Sequence, residues 1–118
     1  MTSNFFKIGT IDDFTTARFK TVKLFGRLIT VVREEDGSFF AIESSCKHQG
    51  ADLFVGYQGG NQVTCHRHQW VYDLRTGECL THDSLPLRRY QVVVEDANVL
   101  VSLYPEESGN GTESGNLI

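Results

Sequence analysis

Two of the three cysteines and three of the four histidines stand between Cys46 and His68. They fall into two groups, Cys46-Lys47-His48 and Cys65-His66-Arg67-His68, with sixteen residues between His48 and Cys65. Each group offers one thiol and one imidazole from a tight stretch of chain. Two such stretches facing each other would supply a set of two cysteines and two histidines. A single buried cysteine or exposed histidine is more often structural than a ligand. Two matched pairs are harder to dismiss, and they point to a metal centre held by Cys46, His48, Cys65 and His68.

Two kinds of centre use that donor set. Zinc takes it tetrahedrally, but zinc fingers pair like with like, cysteine with cysteine and histidine with histidine. In a [2Fe–2S] cluster with mixed ligation, two thiolates hold one iron and two imidazoles the other. One cysteine and one histidine from each loop then clamp the cluster from both sides. The mixed pairs fit this arrangement better, with structural zinc as the alternative.

The elements that must position these groups read as short strands. Phe5-Phe6-Lys7-Ile8 is the first, and Thr10-Ile11-Asp12-Asp13 has the form of a capping box opening one helical turn. Three successive strands follow, Arg18 to Leu24, Leu28 to Arg33 and Ser38 to Glu43, punctuated by Gly26 and by Asp36-Gly37. Tyr90 to Glu95 and Val99 to Leu103 flank Asp96-Ala97-Asn98 as a terminal hairpin. Long amphipathic helical periodicity is missing, so the expected class is all-β, an antiparallel sandwich or small barrel. The ligand-rich stretch interrupts the strand pattern. From about 44 to 84 it is rich in glycine (Gly50, Gly56, Gly59, Gly60, Gly77), with very short strands at Gln62-Val63-Thr64 and Trp70-Val71-Tyr72. It reads as a small subdomain inserted between the early and late strands of the main sheet. Residues 1–104 form the expected domain, and 105–118, almost without apolar residues, a flexible tail.

The bulk numbers narrow the class of function. The chain has 118 residues, enough for one domain, with a net charge of −4. That balance argues against nucleic acid as the partner, because phosphate neutralisation needs a basic face. The sequence has neither a stretch long and apolar enough to span a bilayer nor the pattern of a secretory signal. The expectation is a cytoplasmic protein whose cysteines are thiols or metal ligands rather than a disulfide framework.

C-x-H, sixteen residues, then C-x2-H is the Rieske signature. With "GRLITVVREEDGSFFAIESSCKHQGADL" and "CHRHQWVYDLRTGECL", followed by "SLPLRRYQVVVEDANVLVSL", the chain resembles a Rieske-type ferredoxin, the ferredoxin component of ring-hydroxylating dioxygenase systems, as far as Leu103. The resemblance implies an antiparallel β-sandwich with a cluster-binding subdomain and one [2Fe–2S] cluster. It implies Cys46 and Cys65 on the inner iron, His48 and His68 on the outer one. His66 and Cys79 fall outside the motif, as a solvated side chain and an inert thiol. High-potential members add a cysteine to each loop, forming a brace; Ala51 and Arg67 stand there in this chain. Trp70 replaces their potential-raising serine. Tyr72 keeps their tyrosine, Gln69 departs from the glycine common after the second histidine, and Leu85-Pro86-Leu87 resembles the loop that covers the cluster.

The function so implied is a soluble one-electron carrier between a flavin-dependent reductase and a terminal oxygenase, a monomer or weak oligomer without membrane or nucleic-acid partners. Such a carrier does not oxidise substrate alone, since His66 and His82 are the only histidines left for a mononuclear iron of the two-histidine, one-carboxylate type. Leu53, Phe54 and Trp70 are the apolar candidates for its docking face. A small subunit of an assimilatory nitrite reductase is the other redox reading.

Overall fold

The computed structural model describes residues 5–47, 50–55, 57 and 59–105, the last three as backbone. Its regular elements are eight strands and one short turn: β1 (Phe5–Thr10), β2 (Phe19–Leu24), β3 (Arg27–Arg33), β4 (Phe39–Glu43), β5 (Gln62–Thr64), β6 (Val71–Asp73), β7 (Arg89–Glu95) and β8 (Asn98–Pro105). A 3-10 turn over Ile11–Phe14 joins β1 to β2, and the Thr10 N–H donates to Asp13 Oδ2 at 3.1 Å, as its capping pattern predicts. β1 and β8 run further than the sequence suggested. β8 reaches Pro105, which pairs with Tyr90. The remaining tail, 106–118, lies outside the described residues.

Six strands form one antiparallel sheet in the order β1-β8-β7-β4-β3-β2, and β5 and β6 form a second, two-stranded one. Turn chemistry sets the hairpins. Phe25 and Gly26 both take positive φ (51° and 80°), as do Asp96 and Ala97 (53° and 68°), the two-residue geometry that matches strand twist. The sheet curls so that its two ends approach each other through side chains. Phe6 of β1 lies edge-on to Phe25 with ring centres 5.4 Å apart, and Lys20 of β2 pairs with Asp13 at 3.0 Å. A Cβ at Gly9 would fall on the ends of that Asp13–Lys20 pair, which marks how closely β1 passes it.

Both faces of the central strands are buried, which is why Ile29, Thr30, Val31 and Val32 are inaccessible in succession. Ile29, Val31 and Ala41 point inward, with Phe14, Tyr90, Val99 and Val101. Val32 and Ile42 point outward and are covered by Leu53, Phe54, Val63, Tyr72, Leu74 and Leu87 from the segment between β4 and β7. An aromatic triangle ties that segment to β2: Phe54 stands 5.5 Å from Phe19 and 4.8 Å from Tyr57. Gly77 (φ 85°) accepts the Leu87 N–H at 2.7 Å, and a side chain there would strike the Leu87 carbonyl.

Candidate metal centre

Two loops with the same hydrogen-bond pattern carry the two cysteines. In the first, Ser45 pairs with Asp52, the Cys46 N–H donates to Ala51 O (2.8 Å), and the Gly50 N–H donates to Cys46 O (2.7 Å). In the second, Thr64 pairs with Val71, the Cys65 N–H donates to Trp70 O (2.8 Å), and the Gln69 N–H donates to Cys65 O (2.9 Å). Both loops turn through a left-handed residue at the same place, Gly50 with φ 75° and Gln69 with φ 65°. Gln69 therefore takes the conformation that glycine adopts freely, at a cost of about 1–2 kcal/mol for an L side chain.

The loops bring the thiols together. Cys46 and Cys65 are buried in the same outer core, among the same apolar side chains. Burial pushes the Cys65 thiol up, but the backbone N–H groups of Arg67 and His68, the Cys46 thiol and the Arg67 charge outweigh it, and the net direction is down. The Tyr72 hydroxyl accepts the Lys47 N–H at 3.1 Å and stands 3.7 Å from Cys46 Sγ. Burial, opposed by that N–H and reinforced by Cys46, raises the Tyr72 phenol, so it keeps a proton that it can offer to the sulfur. His68 and His66 are both exposed, and His48 lies outside the described residues. Cys79 is half-buried, bridged to Tyr72 and packed against the same core.

Sequence reasoning misplaced two residues. Leu53 and Phe54 do not form apolar surface; they are 0% and 2% exposed, because the first loop folds back on β2 and β4. The open apolar side chains in this region are Val55, Leu80 and Leu85. Of the Leu85-Pro86-Leu87 segment, Leu87 alone enters the core with the cysteines. Two supporting groups were missed. Thr81 Oγ1 accepts the Val71 N–H (3.1 Å) and bonds His82 Nδ1 (2.8 Å), and the His82 ring stacks on Trp70 at 4.1 Å. Glu43 bonds Lys47 and the Arg88 N–H. Neither has a sequence signature; Glu43 and Arg88 are far apart in the chain and meet only across the β4–β7 pairing.

The donor chemistry fits an iron–sulfur group. Two thiols converge from separate loops in a dry core, one is biased toward thiolate by peptide N–H groups, and an imidazole stands at the rim. Residues 4–95 match the Rieske [2Fe-2S] domain family. The 3-phenylpropionate/cinnamic acid dioxygenase ferredoxin subunit of Photorhabdus laumondii is 38% identical over 74 residues, covering 61% of this chain and 70% of that protein. The ferredoxin component of the naphthalene 1,2-dioxygenase/salicylate 5-hydroxylase systems of Ralstonia is 28% identical over 104 residues, 87% of this chain and 99% of that one. The solved structure of the ferredoxin of carbazole 1,9a-dioxygenase from Nocardioides aromaticivorans IC177 superposes with a TM-score of 0.72 at 30% identity, over 85% of this chain and 98% of that one. Other relatives are much larger: the chain spans 13% of the oxidoreductase NdmD of Pseudomonas putida. Motif, paired loops and near full-length ferredoxin relatives agree, and the chain belongs to the Rieske [2Fe–2S] domain family.

Proposed function

We propose that the chain is a one-electron carrier, taking an electron from a flavin-dependent reductase and passing it to a terminal oxygenase of the ring-hydroxylating kind. Cys46, His48, Cys65 and His68 are the residues that would hold its cluster. When bound, the cluster supplies a centre that takes up and releases a single electron. The observation that carries this reading is the pair of matched loops that converge Cys46 and Cys65 in a buried core while leaving His68 at the surface.

The chain's own groups divide the work. The apolar packing of Leu53, Tyr72 and Leu87 around the thiols keeps water from the inner ligands. Peptide N–H groups of Arg67 and His68 stabilise negative charge on Cys65. Exposed His68 offers the short path to a partner. Ala51 and Arg67 leave no bracing disulfide, and Trp70 offers no hydroxyl to a sulfur, which supports a low-potential carrier.

The test is a reconstituted chain of three components. Cluster-loaded protein is mixed with a flavin reductase, reduced nicotinamide and a terminal aromatic-ring oxygenase. The proposal expects bleaching of the cluster by the reductase, recovery on adding oxygenase and substrate, and product formation only when the chain is present. Loaded protein that is reduced but gives no electron to any such oxygenase, and instead copurifies with a sulfite-reductase-like partner, would replace this reading with the nitrite reductase subunit.

A further inference from the structure

Glu43 ends β4, three residues before Cys46, and Lys47 follows that cysteine directly. Their side chains form an ion pair, Lys47 Nζ to Glu43 Oε2 at 3.0 Å, and both are about four-fifths buried, at 22% and 21% exposure. The Arg18–Glu35 and Lys20–Asp13 pairs stand far more open to water. The second carboxylate oxygen of Glu43 is also engaged, accepting the Arg88 N–H at 3.0 Å, while the Glu43 N–H donates to Arg88 O at 2.7 Å. The carboxylate is thus fixed from both sides. The backbone N–H of Lys47 is the one that the Tyr72 hydroxyl accepts.

A fixed, poorly solvated charge pair on the two sides of a ligand has an electrostatic consequence. Charges are screened less there than on open surface, and cluster potentials respond to local net charge. A lone, part-buried ammonium on the residue that follows Cys46 would favour the reduced, more negative state. Glu43 cancels it. We propose that Glu43 is a positioning residue with a second role: it ties the first cysteine loop to the Arg88 segment and neutralises Lys47, which holds the reduction potential down. This inference rests on the electron-carrier reading and adds the residue pair that sets its driving force.

The test compares cluster-loaded parent, Glu43→Gln, Lys47→Met and the double variant by optically monitored redox titration at one ionic strength. At the parent's midpoint potential, the reduced-to-oxidised ratio should rise several-fold in Glu43→Gln, fall several-fold in Lys47→Met, and return close to one in the double variant. A purely structural tie would change cluster loading or thermal stability without producing shifts of opposite sign. Potentials that stay put, or move the same way in both single variants, overturn the proposal. If Glu43→Gln fails to load, Lys47→Met against Lys47→Arg decides it: the charge-keeping arginine should leave the ratio unchanged and the methionine should lower it, whereas equal ratios refute it. Colourless parent protein would instead count against the carrier reading itself, so the two failures are distinguishable.

Discussion

At the scale of single residues, the hydroxyl of Tyr72 is the group most directly aimed at a ligand. It accepts one peptide N–H and has its own proton for Cys46 Sγ at 3.7 Å. A hydrogen bond to sulfur stabilises the reduced state more than the oxidised one. Tyr72→Phe should therefore lower the potential, by roughly 40 mV if ~1 kcal/mol of hydrogen bonding is lost, at about 59 mV per 1.4 kcal/mol for one electron. Protein-film voltammetry of both proteins reads the shift, and no change or a rise contradicts it. Gln69 makes a second test. Gln69→Gly should be neutral or stabilising by up to about 1 kcal/mol, and Gln69→Val destabilising by about 1–2 kcal/mol, since a β-branched residue tolerates positive φ worst. Thermal unfolding of the loaded protein measures both, and a stabilising valine would contradict the assignment. Cys46, Cys65 and His68 stand out in the sequence as candidate ligands because their spacing is local. The left-handed turn at Gln69 has no sign in the glutamine itself; the glycine common at that position in the family and the register shared with Gly50 mark it.

At the scale of elements, the main strands were readable from alternation and turn residues, since each hairpin closes over a few residues. How the cysteine-bearing segment sits on the sheet was not, because that contact joins residues distant in sequence. Leu53 and Phe54 look like candidate surface in one dimension and are core in three. Phe54 fills the space between Phe19 and Tyr57, so Phe54→Ala should cost about 3–5 kcal/mol and loosen the segment from β2. Amide hydrogen exchange should show faster exchange at Leu53 and Cys65 while Val31 and Val101 stay protected; uniform exchange would contradict a separate outer core. Gly77 is the matching backbone contact. Gly77→Ala meets the Leu87 carbonyl and a φ of 85°, and should lower the denaturant midpoint by an amount worth about 2–3 kcal/mol. An unchanged midpoint would mean the 77–87 approach is not close.

At the scale of the whole molecule, one sheet serves two cores. The inner core of Ile29, Val31, Ala41 and Val101 builds the curled sheet; the outer one, on the far face of β3 and β4, buries the cysteines. The first cysteine loop leaves the main sheet after β4 and the second joins β5 to β6, so the outer core is what they share. No helix among the described residues is long and apolar enough to cross a membrane. Whether these loops hold a mixed-ligand [2Fe–2S] cluster is read by low-temperature electron paramagnetic resonance of the dithionite-reduced, iron- and sulfide-reconstituted protein. The expected result is a red-brown protein with iron and sulfide in equal amounts and a rhombic signal that is lost in Cys65→Ala and altered in His68→Cys. A colourless protein that takes up zinc with no signal, or a signal unchanged by either substitution, would contradict it.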